Sequence, residues 1–260
     1  MATTKVVFKI CPYKPGSAGA RHLKAALEKL VGYTVERVGA DYELDDNVWV
    51  VNWGAGHYIG AARRGAKNVK VLNPASKIVS CINKIDFFEA LNGSDVCLPR
   101  WTTRKHIALQ WAEAGKTIYC RGDVEGRDGR GISVASSPED VVNAHLYTVA
   151  IPADDEYRVH VFRNKPIFDL IKVHHRPTKA QLQVRTGGNG WNFHRDVTAP
   201  AAVTKQAILV SRTLGLDFCA VDILYAAGAD VATVLEANSA PELGPWTSAA
   251  YARELVALTK

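Results

Sequence analysis

GLDFCAVDIL (215–224) and VLEANSAPEL (234–243) are the two most informative stretches of this 260-residue chain. Each is an apolar run typical of a strand, interrupted by a polar side chain: Asp222 in the first, and Glu236 and Asn238 in the second. Because side chains alternate between the two faces of a strand, Glu236 and Asn238 point to the same face. If the two strands pair, Asp222 joins them. Three such oxygen donors suit Mg²⁺, which takes few protein ligands and leaves room for water and phosphate. The sequence therefore predicts a nucleotide-using enzyme.

Composition is that of a globular protein. Hydrophobic residues make up 47% and charged residues 22% of the chain. The chain is long enough to bury a substantial core and to hold two or three compact lobes. No run of about 18 apolar residues occurs, so no transmembrane helix and no membrane partner is expected. The N-terminal MATTKVVFKI enters a strand-like run without a signal-peptide pattern, which favours a cytoplasmic location.

The net charge of +6 and the pI of about 9.0 favour anionic ligands, including nucleotides and nucleic acid. The basic residues are dispersed rather than clustered, so an ordinary solvated basic surface is favoured slightly over a dedicated nucleic-acid face. The five cysteines are odd in number and scattered, with no CxxC pair and no zinc spacing. They are interpreted as buried free thiols.

The rest of the chain predicts lobes of mixed secondary structure. Strands alternate with helices over residues 1–80, which indicates a small parallel α/β unit. Two strands at 156–163 and 166–173 flank Asn164-Lys165 as a hairpin. Ser137-Pro138-Glu139-Asp140 has the features of a helix start: a capping serine, an early proline and acidic residues in the first turn.

Binding of a triphosphate requires cations and backbone amides, and the chain offers both. Lys84 begins a helix, Arg121 ends the strand TIYCR, Lys172 ends a later strand, and the glycine-rich loop 126–131 allows close approach of the backbone to phosphate. A mobile surface loop is the ordinary alternative for the glycines, and a solvated side chain for each lysine. The GxxxxGK[ST] and GxGxxG phosphate motifs are absent, which disfavours those two large classes.

Taken in order, these elements resemble the ATP-grasp superfamily over about residues 70–245. NKIDFFEAL and LPRWTT resemble its lysine-bearing helix and following proline passage, and TIYCRGDVEGRDGRGI resembles its nucleotide-clamping strand and glycine-rich lid loop. IPADDEYRVHVF resembles its hinge and acid-x-Arg strand, and the most specific match is Glu-x-Asn-x-x-Pro after an upstream aspartate. The nearest subgroup is that of the ribosomal-protein glutamate ligases and similar small ligases, including short ATP-grasp chains of bacteriophages.

The resemblance implies a role for each matching position. Lys84 would contact the α and β phosphates, Arg121 stands where the family usually has lysine, and guanidinium binds phosphate with a different geometry. The residues implied in ATP binding are Lys84, Arg121, Gly129, Gly131, Ala150, Ile151 and Asp155, with Ala150 and Ile151 at the adenine and Asp155 at the ribose. Those implied in catalysis at the γ-phosphate are Arg158, Lys172 and Arg195. Those implied in holding Mg²⁺, or Mn²⁺ in its place, are Asp222, Glu236 and Asn238.

Some of these side chains have simpler interpretations. An ordinary strand-face salt bridge is the alternative for Arg158. For Arg195 the alternative is a cation–π contact with Trp191 or Phe193 in the same loop. Trp53 and Trp246 are interpreted as core residues rather than ligand platforms, and His160, His174 and His175 are not expected to act as bases.

The fold that the resemblance implies is α/β, with a small N-terminal lobe (1–80), a lid subdomain (81–149) and a C-terminal lobe (150–260). ATP would lie between the last two. The implied activity is ATP- and Mg²⁺-dependent ligation of a carboxylate to an amine or other nucleophile through an acylphosphate. A kinase or phosphotransferase on the same scaffold and a non-catalytic nucleotide- or nucleic-acid-binding protein are the alternatives. The substrates, whether metabolite, protein or nucleic acid, and the oligomeric state stay open.

Overall fold

The structure is a computed structural model that describes residues 6–58, 62–125 and 129–260. Its N-terminal sheet is parallel, with the strand order β2-β1-β3-β4. The strands are β1 (Val7–Pro12), β2 (Glu36–Arg37), β3 (Val48–Trp53) and β4 (Lys70–Leu72), and helix α1 (Ala18–Val31) follows β1. The small parallel α/β unit predicted from the sequence is confirmed.

A second sheet is antiparallel and has four strands in the order β5-β8-β6-β7. The helices before it are α2 (Ala75–Ile82) and α3 (Lys84–Leu91). Its strands are β5 (Trp101–Thr102), β6 (Ile118–Arg121), β7 (Ile132–Ala135) and β8 (Leu146–Val149), and helix α4 (Lys105–Glu113) lies between β5 and β6. Ala108 and Ala112 of α4 pack on this sheet and give it a small core of its own.

The third sheet is antiparallel and has five strands in the order β11-β10-β9-β12-β13. The strands are β9 (Asp155–Phe162), β10 (Lys165–Val173), β11 (Asn192–His194), β12 (Phe218–Ala226) and β13 (Val231–Asn238). The helices of this region are α5 (Lys179–Gln183), α6 (Ala201–Leu214) and α7 (Pro245–Ala257). The predicted hairpin is present, but its two-residue turn is Arg163-Asn164, both with positive φ, rather than Asn164-Lys165.

The largest core lies between the five-stranded sheet and the helices α3 and α6. Phe87 and Phe88 of α3 pack with Val203 and Val210 of α6 and with Val159 of the central strand β9. This packing fixes the start of α3, and with it Lys84, against β13. Because α3 belongs to the core of the five-stranded sheet, the lobe boundaries at residues 80 and 149 stay a proposal.

Helix α7 returns to the N-terminal sheet and packs against α1. Trp53 of β3 stacks on Phe218 at 5.2 Å and meets Tyr251 of α7 edge-on at 5.5 Å between ring centroids. Trp53 is fully buried, as predicted. These aromatic contacts join the N-terminal sheet to the five-stranded sheet through one shared core.

The helix start predicted at Ser137 is wrong in extent, since only a single 3₁₀ turn forms at Pro138–Asp140. The Asp140 carboxylate accepts hydrogen bonds from the backbone N–H groups of Ser136 and Ser137. After that turn the chain extends towards β8, so the local capping signal initiates a turn that tertiary packing does not prolong.

None of the helices in the described ranges combines the length and the apolar composition needed to cross a bilayer. The five cysteines are free thiols: Cys11, Cys120 and Cys219 are buried, and Cys81 and Cys97 are half-buried. Burial raises the pKa of the Cys11 thiol to about 11, so it stays protonated and behaves as an apolar core residue.

Candidate active site

A cavity of about 1090 Å³ lies where the three sheets meet. The N-terminal lobe contributes Tyr13 and Ser17, the four-stranded antiparallel sheet contributes Arg121, and the five-stranded sheet contributes Arg158 and Asp222. Its walls are mixed in polarity and rich in charge, which distinguishes it from an ordinary apolar pocket.

Strands β12 and β13 pair in antiparallel register, which places Asp222 directly opposite Glu236. The register shifts immediately after Asp222, so a bulge interrupts the ladder at this point before pairing resumes between Ile223 and Val234. Asn238, two residues beyond Glu236, donates its amide Nδ2–H to Glu236 Oε1 at 3.1 Å. The strand pairing that the sequence predicts is confirmed, and all three side chains line the cavity.

Arg158 holds Asp222 through two parallel hydrogen bonds. The distances are 2.6 Å from Nε to Oδ1 and 2.6 Å from Nη2 to Oδ2, and the Asp222 side chain is only 5% exposed. The two residues are register partners on β9 and β12, so the backbone ladder sets this geometry. Burial raises the pKa of Asp222, and Arg158 opposes that effect. Arg158 thus forms a salt bridge, as the simpler interpretation proposed, but with a residue of the cavity.

Lys84 pairs with the second carboxylate. Its Nζ lies 3.3 Å from Glu236 Oε2. Lys84 is the first residue of α3, whose N-terminus is capped because the Asn83 side chain accepts from the Ile85 backbone N–H at 2.8 Å. Burial alone raises the pKa of Glu236, but Lys84 and Arg158 outweigh it and lower that pKa to about 2. Glu236 is therefore ionised across the physiological range.

Lys172 pairs with a third carboxylate, Glu156, which the sequence analysis did not assign to the site. The Lys172 ammonium donates to Glu156 Oε1 at 2.5 Å and to the backbone carbonyl of Arg185 at 2.7 Å. Burial raises the pKa of Glu156, and Lys172 opposes that effect. One signal was available in the sequence: Glu156 precedes Arg158 by two residues, so both side chains lie on one face of β9.

Two arginines on the cavity wall have buried nitrogen atoms without an acceptor among the described residues: Nε of Arg121 and Nη1 of Arg185. Burial lowers the pKa of Arg121, although the guanidinium remains charged. Arg185 donates from Nη2 to the carbonyl of Ala153 at 2.8 Å. Sequence reasoning missed Arg185, because its position depends on a loop conformation that no local pattern encodes.

Arg195 and Trp246 form part of the rim. The Arg195 guanidinium lies 4.5 Å from the centre of the Trp246 ring, and its Nε lies 3.2 Å from Asp196. The predicted cation–π contact exists, but Trp191 and Phe193 are not the partners: Trp191 lies under Arg185, and Phe193 under Arg158. The prediction of Trp246 as a core residue is wrong, since it is 61% exposed at the start of α7.

Only some of the remaining residues predicted to bind ATP line the cavity. Gly129 and Ile151 line the cavity, whereas Gly131, Ala150 and Asp155 are not among its lining residues in the described ranges. Asp155 begins β9 next to the hinge segment. Residues 126–128 of the predicted glycine loop lie outside the described residues. The individual roles in ATP binding stay predictions.

No protein-family profile and no curated protein sequence matches the chain, but solved structures do. The ATP-grasp ligase PsnB, complexed with a phosphomimetic variant of its minimal precursor, Mg and ADP, matches with a TM-score of 0.71 at 14% identity, covering 99% of this chain and 100% of that one. D-alanine–D-alanine ligase from Bacillus anthracis has a TM-score of 0.67 at 10% identity, with 98% and 97% covered. An ATP-grasp RimK domain protein from Sphaerobacter thermophilus has a TM-score of 0.63 at 15% identity, with 97% and 100% covered.

The chain has the ATP-grasp fold. The fold class predicted from the sequence is thereby confirmed, with 97–99% of the chain covered by these three matches. Within this ATP-grasp fold, the cavity is enclosed by both antiparallel sheets and reaches the N-terminal lobe.

The oxygen donors Asp222 of β12 and Glu236 and Asn238 of β13 fit a magnesium ion. Asp222 and Glu236 offer two ionisable carboxylates side by side, and Asn238 adds an amide oxygen. Hard oxygen donors are the ligands that Mg²⁺ prefers, and so small a set leaves positions for phosphate and water. Over the described ranges, no group of three or more His, Cys, Asp or Glu residues is arranged to hold a metal. The candidate donors are therefore two carboxylates and one amide.

Proposed function

We propose that this protein is an ATP- and Mg²⁺-dependent ligase that joins a carboxylate to an amine or another nucleophile through an acylphosphate. The arrangement of charge in the cavity carries this proposal. Three carboxylates each have a cation of their own in the pairs Asp222–Arg158, Glu236–Lys84 and Glu156–Lys172. Arg121 and Arg185 add two guanidinium groups with no ion pair to a carboxylate among the described residues. Such a cavity suits a polyanion that arrives with a metal ion.

The likeness of the fold supports the same conclusion. Structures with this fold are described as ATP-grasp ligases, and PsnB has been solved with Mg and ADP and with a precursor peptide and AMPPNP. The macrocyclase MdnC of Microcystis aeruginosa, with the same fold, has been solved with its precursor peptide. We infer that ATP, Mg²⁺ and a carboxylate–amine pair are the ligands of this protein too, and a peptide is one candidate substrate. A cytoplasmic location and carriage by a bacteriophage stay predictions.

Most of the predicted residues have a role in this proposal. Lys84, Arg121 and the backbone at Gly129 hold the phosphates, and Ile151 faces the adenine. The roles of Gly131 at the phosphates, Ala150 at the adenine and Asp155 at the ribose stay predictions, because these residues are not among those that line the cavity in the described ranges. Asp222, Glu236 and Asn238 would hold Mg²⁺, which neutralises phosphate charge and orients the γ-phosphoryl group. Their hard oxygen donors support this assignment.

The chemistry has two steps. An oxygen of the substrate carboxylate attacks the γ-phosphorus, the bond from that phosphorus to the β–γ bridging oxygen breaks, and ADP leaves. The nitrogen of the amine then attacks the acyl carbon of the acylphosphate, the carbon–oxygen bond to phosphate breaks, inorganic phosphate leaves, and the nitrogen loses a proton. Arg158, Lys172 and Arg195 stabilise the charge that develops on the transferred phosphoryl group. An ionised carboxylate needs no general base for the first step.

Trapping of the intermediate tests the proposal. The protein is incubated with ATP, Mg²⁺ and pools of amino acids or acidic peptides, with hydroxylamine as the nucleophile. An acylphosphate gives a hydroxamate and inorganic phosphate, which mass spectrometry and a phosphate assay detect. Acid-dependent hydroxamate formation supports the ligase. Acid- or alcohol-dependent ADP release with a stable phosphorylated product and no hydroxamate would identify a kinase and contradict the proposal.

A further inference from the structure

A short segment, residues 182–187, crosses the cavity between the two antiparallel sheets, and we call it the strap. Tyr119 of β6 donates its hydroxyl hydrogen to the carbonyl of Gln183 at 2.6 Å. Gly129, which precedes β7, lies so close that a Cβ there would be 2.8 Å from Thr186 Cγ2. The strap therefore contacts the four-stranded antiparallel sheet, although it belongs to the connection between β10 and β11 of the five-stranded sheet.

Arg185 fixes the middle of the strap in three directions. Its carbonyl accepts from Lys172 Nζ at 2.7 Å, and its Nη2 donates to the carbonyl of Ala153 at 2.8 Å. Its guanidinium lies 5.0 Å from the centre of the Trp191 ring, and Trp191 is held in turn because its Nε1 donates to the carbonyl of Gln181 at 2.8 Å. The guanidinium is thus held in place by contacts within the protein itself.

The second terminal nitrogen of Arg185, Nη1, is buried and has no acceptor within the part of the chain that the structure describes. Arg185 lines the cavity, and the carboxylate of Glu156 nearby is already paired with Lys172. A buried charged donor without an acceptor is unfavourable, and such groups are rare in folded proteins. A ligand oxygen in the cavity would satisfy it.

We propose that Arg185 is a binding residue for the polyphosphate of ATP, with Nη1 donating to a phosphate oxygen while Nη2 keeps its bond to Ala153. This inference rests on the proposed function, because it takes ATP as the ligand. Since the Arg185 carbonyl also holds Lys172, phosphate binding fixes the strap and the Lys172 ammonium together. Arg185 thereby favours nucleoside polyphosphates over nucleosides and couples the position of the strap to the phosphate group.

The test compares the affinity of ATP with that of adenosine, by titration calorimetry, in the wild type and in Arg185→Gln. Glutamine retains an N–H donor for Ala153 but carries no charge. The expected result is an ATP affinity lower by about 10-fold or more, the range for loss of one charged hydrogen bond, with adenosine affinity unchanged. The ATP affinity of Arg185→Gln should also fall less steeply with added salt. Arg212→Gln, an equal loss of charge on the exposed last turn of α6, should bind ATP like the wild type.

The outcomes separate this inference from the proposed function. If the wild type binds no ATP, both fail. If the wild type binds ATP and Arg185→Gln binds it equally well, only the role of Arg185 fails. A parallel loss of ATP and adenosine affinity would show that Arg185 acts by holding the hinge at Ala153, which also overturns the inference. Arg185→Lys, which retains the charge, should recover part of the ATP affinity if phosphate is the ligand.

Discussion

Asp222 and Glu236 lie opposite each other on adjacent strands, and each carboxylate is held by a different cation. Arg158, on the neighbouring strand β9, has its Nε 2.6 Å from Asp222 Oδ1. Lys84, at the start of α3, has its Nζ 3.3 Å from Glu236 Oε2. Two carboxylates directly opposite each other repel. The two cations offset this repulsion, so contacts within the protein hold the pair of acids in place.

Glu236→Gln is expected to lower turnover by about 100-fold or more while leaving the fold intact, because it removes one charge from the proposed metal-binding pair. The measurement is ADP release under saturating ATP and Mg²⁺, with circular dichroism as the check on folding. Glu89→Gln, an exposed change on the same helix as Lys84, is the matched control and should keep full turnover. Near-normal turnover in Glu236→Gln would show that the metal assignment is wrong.

Arg158→Met is expected to lower the free energy of unfolding by about 3–5 kcal/mol, because it leaves the buried Asp222 carboxylate without its cation. Asp222→Asn should also destabilise the fold, and the double variant should lose less than the sum of the two. Urea denaturation measures all three. The exposed pair Arg63–Asp45, at 3.0 Å, is the control, and Arg63→Met should lose about 1 kcal/mol or less. Additive losses at Arg158 and Asp222 would contradict the coupling.

His160 predicts a pH dependence of stability. It is fully buried on β9, its Nδ1 lies 3.1 Å from the Tyr251 hydroxyl oxygen, and burial lowers its pKa to about 3 from the ordinary value of 6.5. As the pH falls through 6.5, His160 therefore binds a proton in the unfolded chain but not in the folded chain. This contribution to stability is fully present above pH 6.5 and is lost as the pH falls towards 3.

The expected loss is about 1.4 kcal/mol for each pH unit in that window. The measurement is urea unfolding of the wild type and of His160→Gln at about pH 7 and about pH 5. The variant is less stable at neutral pH but should lose less stability on acidification. Equal slopes in the two proteins would show that His160 titrates normally in the folded state.

Gly129→Ala is expected to weaken ATP binding as well as stability. Gly129 and Gly115 have nearly the same positive φ, 71° and 73°, so alanine strains the backbone at both positions. Gly115 has open space for a Cβ, whereas at Gly129 the Cβ would press on Thr186 of the strap. For Gly115→Ala, thermal unfolding should show a loss of about 1 kcal/mol in stability, and ATP titration should show unchanged binding. Gly129→Ala should lose more stability than Gly115→Ala and bind ATP more weakly. Equal behaviour of the two variants would show that the strap contact has no energetic role.

Sequence reasoning succeeds where the signal is local. The two-residue periodicity of β12 and β13 predicts that Glu236 and Asn238 share a face, and the apolar runs predict that the strands pair with Asp222 alongside. Arg185 lies in a loop whose course depends on contacts with Tyr119 and Ala153, which are distant in sequence. No periodicity reports such contacts.

Two further differences have the same origin. Trp246 has the large apolar side chain that is typical of a core residue. The preceding Gly244-Pro245 nevertheless starts α7 at the rim of the cavity and leaves the indole exposed. Ser137 has the chemistry of a helix cap, yet the residues after Asp140 are needed for the approach to β8. In both places tertiary packing decides between alternatives that the local sequence allows equally.

The central claim is that Asp222, Glu236 and Asn238 hold Mg²⁺ together with ATP, and the most direct test is ATP titration with and without Mg²⁺. In the wild type, Mg²⁺ should tighten ATP binding by about 10-fold or more, equivalent to at least 1.4 kcal/mol. In Glu236→Gln that gain should largely disappear, while binding of ATP in the presence of EDTA should not weaken. An ATP affinity that is unaffected by Mg²⁺ in the wild type, or a gain that Glu236→Gln retains, would contradict the account.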